Sequence, residues 1–258
     1  MKVLAIGDVC GSIGCRKVME TLPRLKKEKS LDLVIVNGEN SADGNGITPE
    51  SAESLLAAGA DVITGGNHSL RRKSAYPLLE SNPFLLRPHN LPAEAGQGYT
   101  VVDLGYMLVA VINLCGVYGM EKCGASSPFA AADELIARAG GDGARVIIVD
   151  FHAEATSEKK ALGFYLDGRV SAFFGTHTHV QTADAAILSG GTGYLTDLGM
   201  TGPADSVLGV KKEIIISRLK DGGTDKFMLA DGPCEMDACV FTIDRATGKT
   251  VMIERMIV

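Results

Sequence analysis

The sequence predicts an α/β fold in which a largely parallel β-sheet carries helices on its faces. Two observations lead to this prediction. In the first third of the chain, short apolar runs alternate with longer stretches of helical periodicity, the order expected of βαβ units. Hydrophobic residues make up 46% of the 258 positions, enough to bury one large core. Since no repeat or Pro/Ser-rich linker divides the sequence, we expect residues 1–258 to form a single domain.

The first third of the sequence is predicted to have the element order β-α-β-α-β. Thr48-Pro49 is a typical helix start and Gly59 a typical helix end, so they bound the second helix. The other elements expected here are a strand at 3–6, a helix at 15–29, and strands at 33–36 and 62–64.

The remaining elements follow from the same patterns. Strands at 101–104 and 108–113 are predicted to form a hairpin about Gly105-Tyr106. Ser127-Pro128 begins a helix that we expect to end near residue 139, before two glycines. A second βα-like stretch has a strand at 146–149, a helix at 157–165 and a strand at 171–174. The tail is predicted to be rich in strands, at 193–196, 214–219, 227–230, 239–243 and 251–257.

Composition narrows the classes of partner. The formal charge of -6 comes without a Lys/Arg block, which argues against binding to duplex nucleic acid. A small anionic substrate stays compatible with this charge if bound cations dominate the field of the site. No apolar run approaches the roughly 20 residues needed to cross a bilayer, which predicts a cytoplasmic protein without a membrane partner. Six cysteines without a C-x-x-C pair predict reduced, mostly buried thiols.

Residues that can bind metal recur where the apolar strands end. The carboxyl ends of parallel strands share one edge of a sheet, and ligands bind there. We therefore expect five segments to deliver ligands to one place. In chain order these candidates are Asp8, Glu39 with Asn40, Asn67 with His68, His152, and the pair His177 and His179.

Each segment taken alone has a simpler explanation. Asp8 could cap the following helix, Asn67-His68 could form an ordinary turn, and His152 could be a hydrogen-bonded core histidine. His177 and His179 alternate along an extended segment, so they could reach different metals if the loop turns between them. The coincidence of all five segments favours a metal centre.

Longer stretches resemble a known family over essentially the whole chain. The order and spacing of Gly7-Asp8, Gly38-Glu39-Asn40, Gly66-Asn67-His68, His152 and Gly175-Thr176-His177-Thr178-His179 resemble the calcineurin-like metallophosphoesterases. The stretches at 150–159, 175–184 and 196–203 are similar to its YmdB-type bacterial branch. The resemblance implies a sandwich of two mixed β-sheets flanked by helices, in α-β-β-α layers.

The resemblance also implies the ligands of two divalent metal ions, bridged by Glu39. One set would be Asp8, Glu39, Asn40 and His179, and the other Glu39, Asn67, His152 and His177. The chain departs from the superfamily pattern at Cys10, Glu39 and Ser69, where a histidine, an aspartate and an acidic residue are usual. Asn40 would replace the missing imidazole, with Cys10 as the alternative ligand. Oxygen and nitrogen ligands suit iron or manganese, with zinc or magnesium as alternatives.

The implied activity is a phosphodiesterase acting on cyclic nucleotides, with 2',3'-cyclic nucleotides favoured. A metal-bridging hydroxide would attack phosphorus, and His68 would protonate the leaving oxygen. One alternative is a phosphomonoesterase acting on nucleotides or phosphoproteins. The other is a regulatory scaffold that binds a nucleotide or a partner protein. The strand-rich tail could offer an edge or face for pairing, so a homo-oligomer is a possible assembly.

Other residues are weaker candidates for the site. Asp150 or Glu154 could accept the free N–H of a metal-bound histidine. Thr201-Gly202 and the stretch at 87–90 could line a substrate pocket. Arg87 could contact phosphate or form a surface salt bridge. With no Trp and 5% aromatic residues, the sequence indicates no platform on which a base could stack.

Overall fold

The computed structural model describes residues 1–92 and 95–258. In chain order the strands are β1 (Lys2–Ile6), β2 (Asp8–Val9), β3 (Leu33–Asn37), β4 (Val62–Thr64), β5 (Tyr99–Asp103), β6 (Leu108–Cys115), β7 (Val146–His152), β8 (Ala172–Thr176), β9 (Ala186–Ile187), β10 (Gly193–Leu195), β11 (Met200–Pro203), β12 (Cys234–Ile243) and β13 (Thr250–Ile257). The α-helices are α1 (Gly11–Glu28), α2 (Pro49–Ala58), α3 (Tyr76–Ser81), α4 (Pro128–Gly141), α5 (Thr156–Tyr165) and α6 (Lys212–Asp221).

The strands form two mixed sheets. The first has the order β2-β11-β12-β1-β3-β4, with β13 also paired to β12. Its strands β1, β3 and β4 are parallel, whereas β12 runs antiparallel to β1. The second sheet has the order β5-β6-β7-β8-β10-β9 and is parallel from β6 to β10. The parallel strands of each sheet therefore end at one edge.

The two sheets pack face to face between helices. In β1, Leu4 and Ile6 face a core shared with α1 and α2, while Val3 and Ala5 face the second sheet. Strand β6 alternates in the same way between the inter-sheet core and a core shared with α4 and α5. This alternation follows from the two-residue period of strand side chains. The predicted α-β-β-α sandwich is confirmed.

Local signals placed most elements correctly. The Thr48 hydroxyl accepts a hydrogen bond from the Ser51 N–H at the start of α2, and the helix ends at Gly59 with a φ of 110°. The hairpin of β5 and β6 and the paired strands β12 and β13 lie where they were predicted. Helix α4 runs through its two terminal glycines rather than ending before them.

Two predicted strands are wrong. Residues 214–219 lie in helix α6, which ends at Gly222 in the left-handed region. Their run of three isoleucines favours a strand by propensity, but these side chains sit on a surface helix, where tertiary context overrides propensity. Residues 227–230 contribute one isolated bridge, between Val210 and Leu229, rather than a strand. Among the described residues, no helix combines the length and hydrophobicity needed to span a bilayer.

We expect Phe174→Ala to destabilise the sandwich by about 3–5 kcal/mol, because it would leave a cavity between the sheets. Phe174 is 1% exposed and packs 6.0 Å from the Phe241 ring. Phe164→Ala is the matched control, since its side chain is 64% exposed and its loss should change stability by about 0.5 kcal/mol or less. Urea denaturation followed by circular dichroism measures both. Equal losses in the two variants would contradict the packing described.

Candidate metal centre

The five predicted segments come together at one edge, where the parallel strands of both sheets end. Asp8 lies in β2, directly after β1, and the pairs Glu39-Asn40 and Asn67-His68 follow β3 and β4. From the second sheet, β7 ends at His152 itself, and His177 and His179 follow β8. The structure therefore brings together side chains that lie up to about 170 positions apart in sequence.

Two carboxylates occupy the centre of this cluster. Asp8 and Glu39 are 0% and 1% exposed, and with His152 they place ligand atoms within 4.8 Å of one another. The Asp8 Oδ2 accepts a hydrogen bond from the His177 N–H, but Asp8 Oδ1 has no hydrogen-bond partner among the described residues. A buried carboxylate oxygen without a hydrogen bond is costly, so this arrangement fits a bound cation.

The pKa values of the two carboxylates move in opposite directions. Burial, together with the negative charges of Glu39 and Asp197, raises the pKa of Asp8 well above its ordinary value. Burial would also raise the pKa of Glu39, but the His152 imidazole and hydrogen bonds from His68 lower it to about 2. Glu39 is therefore ionised at neutral pH.

His152 presents one ring nitrogen to the cluster and anchors the other. Its Nδ1 donates to the Thr176 hydroxyl at 2.9 Å, and Thr176 donates to Asp150 at 2.8 Å. Asp150 also accepts hydrogen bonds from Thr64 and Asn37, while burial raises its pKa to about 6. Because Nδ1 carries the proton in these hydrogen bonds, Nε2 of His152 is the nitrogen that can bind a metal. Asp150 was one of two acceptors that the sequence offered for a ligating histidine, but Thr176 lies between it and His152.

In the other two histidines, too, one ring nitrogen faces the cluster and the other has a partner outside it. His177 and His179 have φ values of 101° and 62°, so the chain turns sharply at both. The Nε2 of His177 lies 3.0 Å from the Glu154 carboxylate, as predicted for that residue, and the Nδ1 of His179 lies 3.1 Å from the Leu208 carbonyl. Their remaining nitrogens face the buried cluster. Such outer hydrogen bonds are typical of metal-binding histidines.

The two asparagines lie against these histidines. Asn67 Oδ1 is 2.9 Å from His152 Nε2, and Gly66 makes this approach possible, because a Cβ there would lie 2.3 Å from that nitrogen. Asn40 places its amide nitrogen 3.2 Å from His179 Nε2. A half-turn about its Cβ–Cγ bond would direct the amide oxygen there instead.

Cys10 lies on the outer side of His179. Its Sγ is 3.7 Å from His179 Nδ1, the nitrogen that faces away from Asp8, and it donates to the Asp8 carbonyl. Burial and the charges of Asp8 and Glu39 raise the pKa of the Cys10 thiol well above its usual range. A protonated thiol on the outer side makes Asn40 the better candidate to complete the ligand set.

His68 stands at the edge of the cluster. Its backbone N–H and its Nδ1 lie 2.8 and 3.1 Å from the two Glu39 oxygens, and its side chain is 24% exposed. Burial lowers the pKa of His68, but the hydrogen bond and charge of Glu39 outweigh burial and raise it. Glu39 therefore stabilises the protonated form of His68 relative to a histidine in water.

A buried ion pair that the sequence did not reveal supports the histidine loop. Lys159 Nζ lies 2.6 Å from Asp197 Oδ2, and both side chains are 1% exposed. The same carboxylate accepts from the backbone N–H of Thr178, between His177 and His179. Removing one partner of such a pair typically costs about 3–5 kcal/mol. Lysine is rarely buried, so its position in a predicted helix gave no signal.

Arg87 and Thr201 have structural roles rather than the predicted ones. The Arg87 side chain is buried, and its guanidinium donates to the carbonyls of Ala95 and Pro88. Among the described residues its partners are therefore backbone carbonyls, in place of the predicted phosphate contact or surface salt bridge. His89 lies beside Glu134, and Thr201 pairs with β12, so neither lines the cluster.

A cleft of about 350 Å³ opens over the cluster. One wall carries polar residues of the cluster, among them Glu39, His68, His177 and His179. An apolar wall is formed by Leu208, Val210, Phe227, Met228 and Leu229. The cluster is thus open to a small molecule on one side.

Comparison with known proteins shows the family of the chain. The family model described as YmdB-like protein matches residues 4–256. The 2',3'-cyclic-nucleotide 2'-phosphodiesterase of Bacillus subtilis is 47% identical over 259 residues, which cover 100% of this chain and 97% of the relative.

Two solved structures have the same fold. A novel phosphatase from Mycoplasma pneumoniae superposes with a TM-score of 0.94 at 35% identity, covering 100% of this chain and 93% of its own. A hypothetical protein from Thermus thermophilus superposes with a TM-score of 0.92 at 39% identity, covering 100% and 98%. The chain belongs to the YmdB-like family, as its motifs predicted, and is an enzyme of the phosphoester-hydrolase class.

Proposed function

We propose that this chain is a dinuclear-metal phosphodiesterase that hydrolyses 2',3'-cyclic nucleotides, with His68 as general acid. One observation carries the proposal: three histidines each turn one ring nitrogen towards the cluster around two buried carboxylates and anchor the other nitrogen outside it. The name of the 47% identical relative supports the choice of substrate.

The donor atoms fit a pair of divalent ions. Oxygen and imidazole ligands suit iron or manganese, and zinc or magnesium are the alternatives. Two such ions, when bound, would lower the pKa of a water to near neutrality and offset the charge developing on the phosphoryl oxygens. Glu39 would be shared by both ions. The first would be held by Asp8, Glu39, Asn40 and His179, and the second by Glu39, Asn67, His152 and His177.

His68 supplies the proton that the leaving group needs. In the proposed reaction water releases one proton to solvent, and its oxygen forms a bond to phosphorus while the bond from phosphorus to the ribose 2'-oxygen breaks. The Glu39 carboxylate raises the pKa of His68, which favours protonated His68; its proton passes to the 2'-oxygen, and solvent then returns a proton to His68. The product is a nucleoside 3'-phosphate.

We expect purified wild-type protein to contain about two metal ions per chain and Glu39→Gln to contain fewer, because the amide removes the charge shared between the ions. Metal should also raise the melting temperature of wild type, since it binds only the folded state. Elemental analysis and thermal unfolding with and without chelator measure both effects. Glu53→Gln, on the exposed face of α2, is the control. A Glu39→Gln protein with wild-type metal content and melting shift would contradict the proposed site.

Replacing His68 by alanine should lower kcat on 2',3'-cyclic AMP by about 10²- to 10⁴-fold while the metal content stays near wild type. The loss should be smaller with bis-p-nitrophenyl phosphate, because nitrophenolate leaves without a proton. His89→Ala, which removes a histidine outside the site, should keep wild-type turnover. An equal loss on both substrates would show that His68 does not act as the acid.

A phosphomonoesterase is the second candidate, because the Mycoplasma pneumoniae structure is described as a phosphatase. We expect wild-type protein to hydrolyse bis-p-nitrophenyl phosphate and 2',3'-cyclic AMP faster than p-nitrophenyl phosphate or adenosine 3'-phosphate. Release of nitrophenol and of phosphate gives the two rates. Faster hydrolysis of the monoesters would replace the diesterase proposal by the second candidate.

A further inference from the structure

The apolar wall of the cleft is attached directly to the metal cluster. Val207 and Val210 exchange two backbone hydrogen bonds and form a tight turn. Leu208, within this turn, has a φ of 55°, and its carbonyl is the group that lies 3.1 Å from His179 Nδ1. The distance between the apolar wall and the cluster is therefore fixed by a hydrogen bond.

A second segment completes this wall. The Lys211 N–H donates to the Met228 carbonyl, and the Ala230 N–H donates to the Gly209 carbonyl. These bonds hold residues 227–229 beside the tight turn. Phe227 is thereby placed in the lining of the cleft.

Phe227 is an aromatic side chain that stays largely exposed in the lining of the cleft. Its side chain is 55% exposed, and Met228 and Leu208 beside it are 54% and 48% exposed. The Arg218 guanidinium lies 4.2 Å from the centre of the Phe227 ring and orients it. Exposed apolar side chains grouped at one end of a polar site are typical of a surface that a ligand covers.

We propose that the base of the nucleotide substrate stacks on Phe227, with Leu208 and Met228 covering its edges. This inference rests on the proposed function, which places the cyclic phosphate at the metal cluster. The apolar wall is continuous with that cluster through Leu208, so the sugar would span the distance between them. Aromatic side chains bind bases through stacking with little dependence on sequence. The wall is built from apolar side chains, so it offers no side-chain hydrogen bond to distinguish adenine from guanine.

The test compares two substrates that share the same ester. One is 2',3'-cyclic AMP, and the other is the 2',3'-cyclic phosphate of methyl ribofuranoside, which has no base. In Phe227→Ala, the ratio of kcat/KM for the nucleotide to kcat/KM for the base-free ester should fall roughly ten-fold or more, the loss expected for one stacked base. Because the measure is a ratio within one protein, partial unfolding does not change it.

Two further variants complete the test. Phe227→Tyr keeps the aromatic ring and should restore the ratio to within about two-fold of wild type. Phe164→Ala removes an equally exposed phenylalanine on α5, outside the cleft, and should leave the ratio unchanged. An unchanged ratio in Phe227→Ala, with both esters still hydrolysed, would overturn the stacking inference alone. A wild-type protein that hydrolyses neither ester would overturn the proposed function and this inference with it.

Discussion

The burial of two carboxylates at the meeting edge of two sheets constrains everything around it. Asp8 and Glu39 are inaccessible to water, and their ligand oxygens lie within 4.8 Å of one another. Ionising both would therefore cost several kcal/mol of repulsion in a protein interior. Hydrogen bonds from His68 stabilise the Glu39 carboxylate, whereas one oxygen of Asp8 has no hydrogen-bond partner among the described residues. Cations would turn this repulsion into attraction. The structure therefore keeps an unfavourable electrostatic arrangement at the place where chemistry is proposed.

The groups around the carboxylates restrict how the histidines can move. Thr176 fixes the ring of His152, and the Leu208 carbonyl fixes that of His179. The buried Lys159–Asp197 pair holds the backbone between the last two histidines. These partners come from different elements, so the direction of each ring nitrogen depends on packing between elements. Preorganisation of this kind removes the need to reorder ligands when a metal binds.

The cleft combines two kinds of recognition. Its polar wall offers charge and imidazole nitrogen to a phosphoester, and its apolar wall offers contact area without hydrogen-bonding side chains. Leu208 belongs to both walls: its carbonyl orients His179, and its side chain is exposed beside Phe227. Changes in the apolar wall are thereby expected to alter substrate preference, whereas changes in the polar wall alter the chemistry.

The sequence by itself determined most of the strands, most helices and the side chains that gather at the strand ends. Periodicity and turn chemistry are local, so they predicted β1, β3, β4 and the positions of Asp8, Glu39 and His152 correctly. The roles of those side chains as metal ligands remain predictions. The sandwich of two mixed sheets was implied by resemblance to a known family; the structure confirms the sandwich, and the comparisons confirm the YmdB-like family.

Only the tertiary structure decided which distant groups meet. It placed Thr176 between His152 and Asp150, and buried Lys159 against Asp197. It also made a helix of residues 214–219 and brought Phe227 into the cleft, although the sequence indicated neither. Hydrogen bonds and burial between residues far apart in sequence leave no periodic trace in the chain, because their energies depend on how whole elements pack.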